Sequence, residues 1–171
     1  MWGEVVNYVT KGQTVDNLGT VGNITAGKGI FVSRFTHTLD PKKRLTIPSD
    51  WRIQVMPENS FYVLPDVQSK CLVVFPIKEM ERRMEKLRNH AMSDQHARQF
   101  ARVLAAQSDL VQWDSQGRIR IKDELLDFAD LKEVVELVSA FDRFELWSPD
   151  RYAENQKSGT SIADAATYVG F

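Results

Sequence analysis

Leu39-Asp40-Pro41-Lys42-Lys43-Arg44-Leu45-Thr46-Ile47 and Trp113-Asp114-Ser115-Gln116-Gly117-Arg118-Ile119-Arg120-Ile121 are two versions of one phrase. Each runs apolar, Asp, three turn-forming residues, Arg, then apolar-polar-apolar, with an offset of 74 residues at both the Asp and the Arg. A second match sets Cys71-Leu72-Val73-Val74-Phe75-Pro76 against Phe144-Glu145-Leu146-Trp147-Ser148-Pro149 at an offset of 73. One residue of drift is what a single deletion leaves, so the chain carries two copies of one unit.

Each copy has the same coarse pattern. Leu45-Thr46-Ile47 and Ile119-Arg120-Ile121 alternate, which predicts strands with one buried face. A helical turn follows: Pro48-Ser49-Asp50 opens Trp51-Arg52, with Ser49 as the expected cap, and the acids Asp123-Glu124 suit the start of a helix over Leu125–Ala129. Two more strands are expected in each copy, at 61–64 and 71–75 and then at 134–138 and 144–147. Between the copies, Ile77, Met80, Met84 and Leu87 form one helical stripe and Ala97, Phe100, Ala101 and Leu104 another, both expected to be core. Ser93-Asp94 is the expected cap between those helices. The organisation read from this is an N-terminal extension (1–33), a first unit (34–81), a helical connector (82–107), a second unit (108–151) and a C-terminal tail (152–171). Neither unit is large enough for a good core of its own. The expected class is therefore α+β, mainly β with helices, with a pseudo-twofold in which each half completes the other.

The composition fits this reading. The chain has 171 residues, 43% hydrophobic and 26% charged, which excludes disordered and fibrous classes. A single cysteine, Cys71, cannot close an internal disulfide. The longest apolar run, Cys71 to Ile77, is too short to span a bilayer, and Met1-Trp2-Gly3-Glu4-Val5 does not open like a signal peptide. A soluble cytoplasmic protein is expected. The net charge of −1 hides an uneven distribution. Between 34 and 52, five cations (Arg34, Lys42, Lys43, Arg44, Arg52) face two acids, whereas 123–154 holds ten acids against Lys132, Arg143 and Arg151. Such a pattern permits a local polyanion-binding patch.

The repeated turns are the candidates for that patch. Asp40-Pro41-Lys42-Lys43 has Asp to cap backbone donors and Pro to preset φ, and Asp114-Ser115-Gln116-Gly117 ends on the residue for which φ > 0 is cheap. Arg44 and Arg118 then leave a rigid stem, where a forked guanidinium can meet phosphate or a guanine edge. The plainer alternative is a solvated turn whose Arg pairs with its own Asp. A few phosphate contacts bind weakly, so useful affinity calls for several copies in an oligomer.

From Phe35 to Arg52, and again at Cys71–Pro76, Asp114–Arg118 and Phe144–Trp147, the chain resembles the MraZ family, with both repeats in order over about 34–155. The resemblance implies two SpoVT-AbrB units folded as a tandem swapped-hairpin β-barrel. It implies a DNA-binding transcriptional regulator, a repressor of its own division and cell-wall gene cluster. Such a protein acts as a ring-forming homo-oligomer, an octamer among the expected sizes, on direct repeats in double-stranded promoter DNA, and is nucleoid-associated. DNA contact then falls to Lys42, Lys43, Arg44 and Arg118, with Asp40, Asp114 and Gly117 shaping the turns. Three positions depart from the family pattern: Lys43 stands where Gly is usual, Ser139 replaces a frequent Gly, and Met80 a common Trp. Residues 1 to about 32 precede the family's usual start.

Rival chemistries are weaker. Gly22 to Lys28 matches most of a phosphate-binding loop, but Gly29 stands where Ser or Thr should hold Mg²⁺, and Ile30-Phe31-Val32 reads as strand rather than helix. His37, His90 and His96 lack metal-ligand spacing, and Cys71 in an apolar strand is expected to be inert. No enzyme activity, cofactor or metal is expected. The remaining alternative is an antitoxin-like or other protein-interaction module of the same barrel class, disfavoured by the short, weakly charged tail from Lys157 to Phe171.

Overall fold

The repeat is visible in the strand pairing. The computed structural model describes residues 29–159 and 161–170. Its elements are β1 (Arg34–Thr38), β2 (Arg44–Thr46), α1 (Ser49–Gln54), β3 (Ser60–Asp66), β4 (Cys71–Pro76), α2 (Ile77–Ala91), α3 (Gln95–Gln107), β5 (Asp109–Gln112), β6 (Arg118–Arg120), α4 (Asp123–Phe128), β7 (Val134–Ser139), β8 (Phe144–Trp147), α5 (Pro149–Ser158) and α6 (Ile162–Val169). Six strands form an antiparallel sheet in the order β1-β7-β8-β4-β3-β5, and β2 pairs with β6 in a separate ribbon. Each copy lends an edge strand to the other: β1 lies on β7 of the second copy, and β5 on β3 of the first. The equivalent strands β4 and β8 meet at the centre, and the pair Thr38–Val134 on one edge recurs as Gln112–Ser60 on the other. The pseudo-twofold thus runs through the β4–β8 and β2–β6 pairs. The described residues form two sheets and no closed barrel.

Burial follows the alternation. Leu45, Ile47, Ile119 and Ile121 point inward from the ribbon and its continuations, where they meet Trp51 from α1, Leu125 and Leu126 from α4, and the inner face of the large sheet. Aromatic rings fill the middle: the Trp51 and Phe144 centroids are 4.8 Å apart, and Phe31 lies 5.2 Å from Phe144 in an edge-on contact. Such pairs add attraction beyond the area they bury. Phe31 reaches this core through an isolated bridge to Phe141 rather than the expected strand. The opposite sheet face, with Leu64, Cys71, Val73, Phe75 and Trp147, is covered by Met80 and Met84 of α2, Leu104 of α3 and Tyr152 of α5. β4, buried on both sides, is apolar throughout.

Some local expectations need correction. Ser49 does not cap α1; Pro48 precedes the helix without a side-chain bond, and the Ser49 hydroxyl turns to Asp50. The expected cap at Ser93-Asp94 does form: the Asp94 carboxylate accepts the His96 N–H. The α3 stripe is core only in part: Leu104 packs on the sheet, but no α3 residue is fully buried and Phe100 is 57% exposed. The loop-like stretch Gly22–Lys28 lies outside the described residues. Among those described, no helix is long and apolar enough to cross a membrane.

Both turns close with the same bonds. The Lys43 N–H donates to the Asp40 carbonyl at 2.8 Å and Gly117 N–H to the Asp114 carbonyl at 2.8 Å, and each Asp N–H donates to the carbonyl of its own Arg. The last turn residue is left-handed in both: φ is +56° at Lys43 and +77° at Gly117. The family's glycine is absent from the first turn, yet the turn keeps its shape, at a strain of about 1 kcal/mol. Above Gly117 the space is taken, since a Cβ built there would stand 2.5 Å from Cζ of Arg52. The two turns should therefore respond with opposite signs in urea unfolding. Gly117→Ala is expected to lower stability by about 1–2 kcal/mol. Lys43→Gly should raise it by about 0.5 kcal/mol, since the relieved strain exceeds the added backbone entropy. Equal signs would show that the left-handed positions are not what limits the turns.

Candidate nucleic-acid interface

The outward face of the β2–β6 ribbon gathers the predicted residues. Arg44 pairs with Arg120, Leu45 with Ile119 and Thr46 with Arg118. Because side chains alternate, burial of Leu45 and Ile119 sends Arg44, Thr46, Arg118 and Arg120 to one solvent face. The two turns flank this face at opposite ends. Lys42, Lys43, Arg44 and Arg118, taken from two places 74 residues apart, are thus brought to one surface.

Within each turn the aspartate works as a bracket. Asp40 Oδ1 accepts the backbone N–H groups of Lys42 and Arg44, both at 2.9 Å, while Oδ2 accepts Arg44 Nε at 2.7 Å. In the second turn Asp114 Oδ1 accepts from Gln116 N at 2.9 Å and Arg118 N at 3.0 Å, and Oδ2 from Arg118 Nε and Nη2 at 2.9 and 2.7 Å. The guanidinium of Arg118, and then its backbone N–H, hold the Asp114 carboxyl down at about 2. Arg44 holds Asp40 low in the same way. Both arginines therefore fold onto their own aspartates, as the plainer reading expected. They are not shut away: 28% of the Arg44 side chain and 24% of Arg118 remain exposed. Arg44 Nη1 also approaches Asp114 Oδ2 to 3.7 Å, so the two brackets meet near the pseudo-twofold. A guanidinium has five N–H donors. With Nε and one terminal nitrogen on aspartate, donors remain for an outside acceptor.

The other cations of the 34–52 cluster disperse. Arg34 sits over Tyr152 and 3.7 Å from Glu136. Arg52 lies over Gly117 and donates to the Ile47 carbonyl at 3.2 Å. Lys42 makes no ion pair among the described residues. Arg120 is the functional candidate that turn-based reasoning missed. The period of two was the available signal, because Ile119 and Ile121 inward put Arg120 outward beside Arg118. Among the described residues, no group of three His, Cys, Asp or Glu side chains is placed to hold a metal ion. His90 Nδ1 approaches the Lys86 carbonyl while His96 is fully exposed, and His37 Nδ1 lies 2.7 Å from the Thr46 carbonyl. Cys71 is buried, and desolvation pushes its thiol far up, away from the reactive thiolate.

Comparison with known proteins identifies the family. Residues 104–168 match the family model described as "MraZ protein, putative antitoxin-like". A "Transcriptional regulator MraZ" of Thermomicrobium roseum is 33% identical over 138 residues, 78% of this chain and 95% of that protein. The proteins of the same name from Clostridium acetobutylicum and Symbiobacterium thermophilum are 28% and 31% identical, each over 82% of this chain and 99% and 100% of their own lengths. With its duplicated Asp-x-x-x-Arg turns and a likeness that spans nearly the whole length of these relatives, the chain belongs to the MraZ family.

Proposed function

We propose that the chain is a sequence-specific DNA-binding transcriptional regulator, a repressor of its own division and cell-wall gene cluster, working without enzymatic activity. The observation that carries this reading is the β2–β6 ribbon, which presents three arginines on one face, two of them aimed by bracketing aspartates. In this reading Arg44 and Arg118 offer their free donors to base edges or phosphates, and Lys42 and Lys43 add phosphate contacts. Holding the guanidinium in place beforehand reduces the side-chain entropy lost on binding. The two sheets then act as a swapped-hairpin barrel split along one side, each SpoVT-AbrB unit completing the other. One ribbon offers few contacts, so binding gains strength when copies in a ring engage successive direct repeats.

Two experiments test the reading. Arg44→Ala should weaken binding to the DNA upstream of the chain's own gene by about 1–3 kcal/mol with its melting temperature retained. Unchanged affinity would remove Arg44 from the interface. Engagement of all five ribbon cations predicts a slope of log affinity against log salt of about −4.5. A flat salt titration would point instead to a protein partner.

A further inference from the structure

The two ends of the ribbon differ in chemistry. At the 74-residue offset, Lys43 corresponds to Gly117, Arg120 to Thr46 and Asp123 to Ser49. The antiparallel pairing carries all three charged members to the same end, because Arg120 lies across from Arg44, next to Lys43. There they touch. Lys43 Nζ is 3.3 Å from Asp123 Oδ2, and Arg120 Nη2 donates to Asp123 Oδ1 at 2.8 Å. The other end holds glycine, threonine and serine at the matching positions. Every departure from pseudo-symmetry in this set therefore falls in one cluster.

The cluster is unfavourable for the free chain in two ways. Like charges directly across a β ladder repel, yet Arg44 faces Arg120. Lys43 is held in a left-handed conformation that glycine takes freely. Both costs serve to put cations at this end. Asp123 differs from the bracketing aspartates. Asp40 and Asp114 each accept backbone N–H groups and cannot let go without undoing a turn. Asp123 accepts only the two cationic side chains, and all three groups are about half exposed. Such exposed pairs are weak and easily exchanged.

From this juxtaposition we infer that Lys43 and Arg120 form a phosphate clamp at one end of the ribbon, with Asp123 as a stand-in anion that gives way to the DNA backbone. The inference rests on the regulator reading and adds a polarity to it: one end of the ribbon grips phosphate with the clamp, while the other has Gly117, Thr46 and Ser49 at the matching positions and an Arg52 turned back onto the Ile47 carbonyl. The lowering of the Asp123 carboxyl by Arg120 first and then Lys43 fits a carboxylate ionised in this role.

The test compares wild type with Arg120→Thr, which copies the residue at Thr46 and keeps a strand-forming side chain, and with Asp123→Asn. The probes are the upstream duplex and a scrambled duplex of equal length, and unchanged melting temperatures establish folding. Arg120→Thr should weaken both duplexes by the same factor, about eightfold at 0.1 M salt, and reduce the salt slope by about one. Asp123→Asn should tighten both by about threefold, the Coulomb repulsion between one carboxylate and a phosphate about 6 Å away in water. The clamp is overturned if Arg120→Thr changes neither affinity nor slope, or weakens only the upstream duplex, while Arg44→Ala still weakens binding to the upstream duplex. In that case the regulator reading survives. Wild-type protein that binds neither duplex removes both.

Discussion

Neither copy of the repeat can finish its own sheet, and that constraint organises the molecule. β1 pairs with β7 and β5 with β3, so each copy's sheet is completed by a strand of the other. The same exchange sets Leu45 beside Ile119 at the ribbon centre. Burying these two residues and their neighbours Ile47 and Ile121 forces the polar members of the ribbon outward. The arginine face is thus a consequence of core packing and not of loop flexibility. A ribbon tied down by a buried underside holds its turns still, which suits recognition better than a mobile arm.

The aspartate brackets show how turn formation and charge placement share the same atoms. A carboxylate that caps two backbone donors is fixed in position, and its second oxygen then fixes the guanidinium. Structure and candidate function are not alternatives here. The self-paired arginine that a purely structural reading expects is also an arginine whose remaining donors are aimed. An acceptor must compete with water for those donors and tolerate the adjacent carboxylate. This favours a ligand that approaches from the open side and meets additional cations beyond the brackets.

Much of this was legible in the residues because the signals were periodic. Alternation at Leu45–Ile47 and Ile119–Ile121 gave the ribbon strands, the fixed offset gave the duplication, and Asp with Pro or Gly gave the turns. Pairing between copies was inferred only in outline, since which strand completes which sheet is a property of the whole chain. The state of Arg44 and Arg118 was open for a different reason: water, phosphate and aspartate are all good partners, and only geometry selects among them. The α3 stripe holds only in part, because helical periodicity reports an apolar face but not how much of it is covered; Leu104 packs on the sheet while Phe100, with the same spacing, stays exposed. Arg120 is not marked by the turn pattern, because its outward position depends on the strand period two residues beyond Arg118.

A duplicated fold separates what must stay symmetric from what is free to change. The exchanged strands, the two brackets and the left-handed turn residues retain matched geometry, since each half is packed against the other and a change in one must be answered in both. The solvent rim carries no such obligation. There Gly117 leaves room for Arg52, while its counterpart became Lys43 in spite of the backbone strain. A side chain kept in a strained position gives up folding stability. Its side chain lies beside Arg120 and Asp123, where the proposed clamp uses its charge. Symmetry in the core supplies a rigid double turn, and in the proposed reading asymmetry at the rim gives it a direction along the DNA backbone.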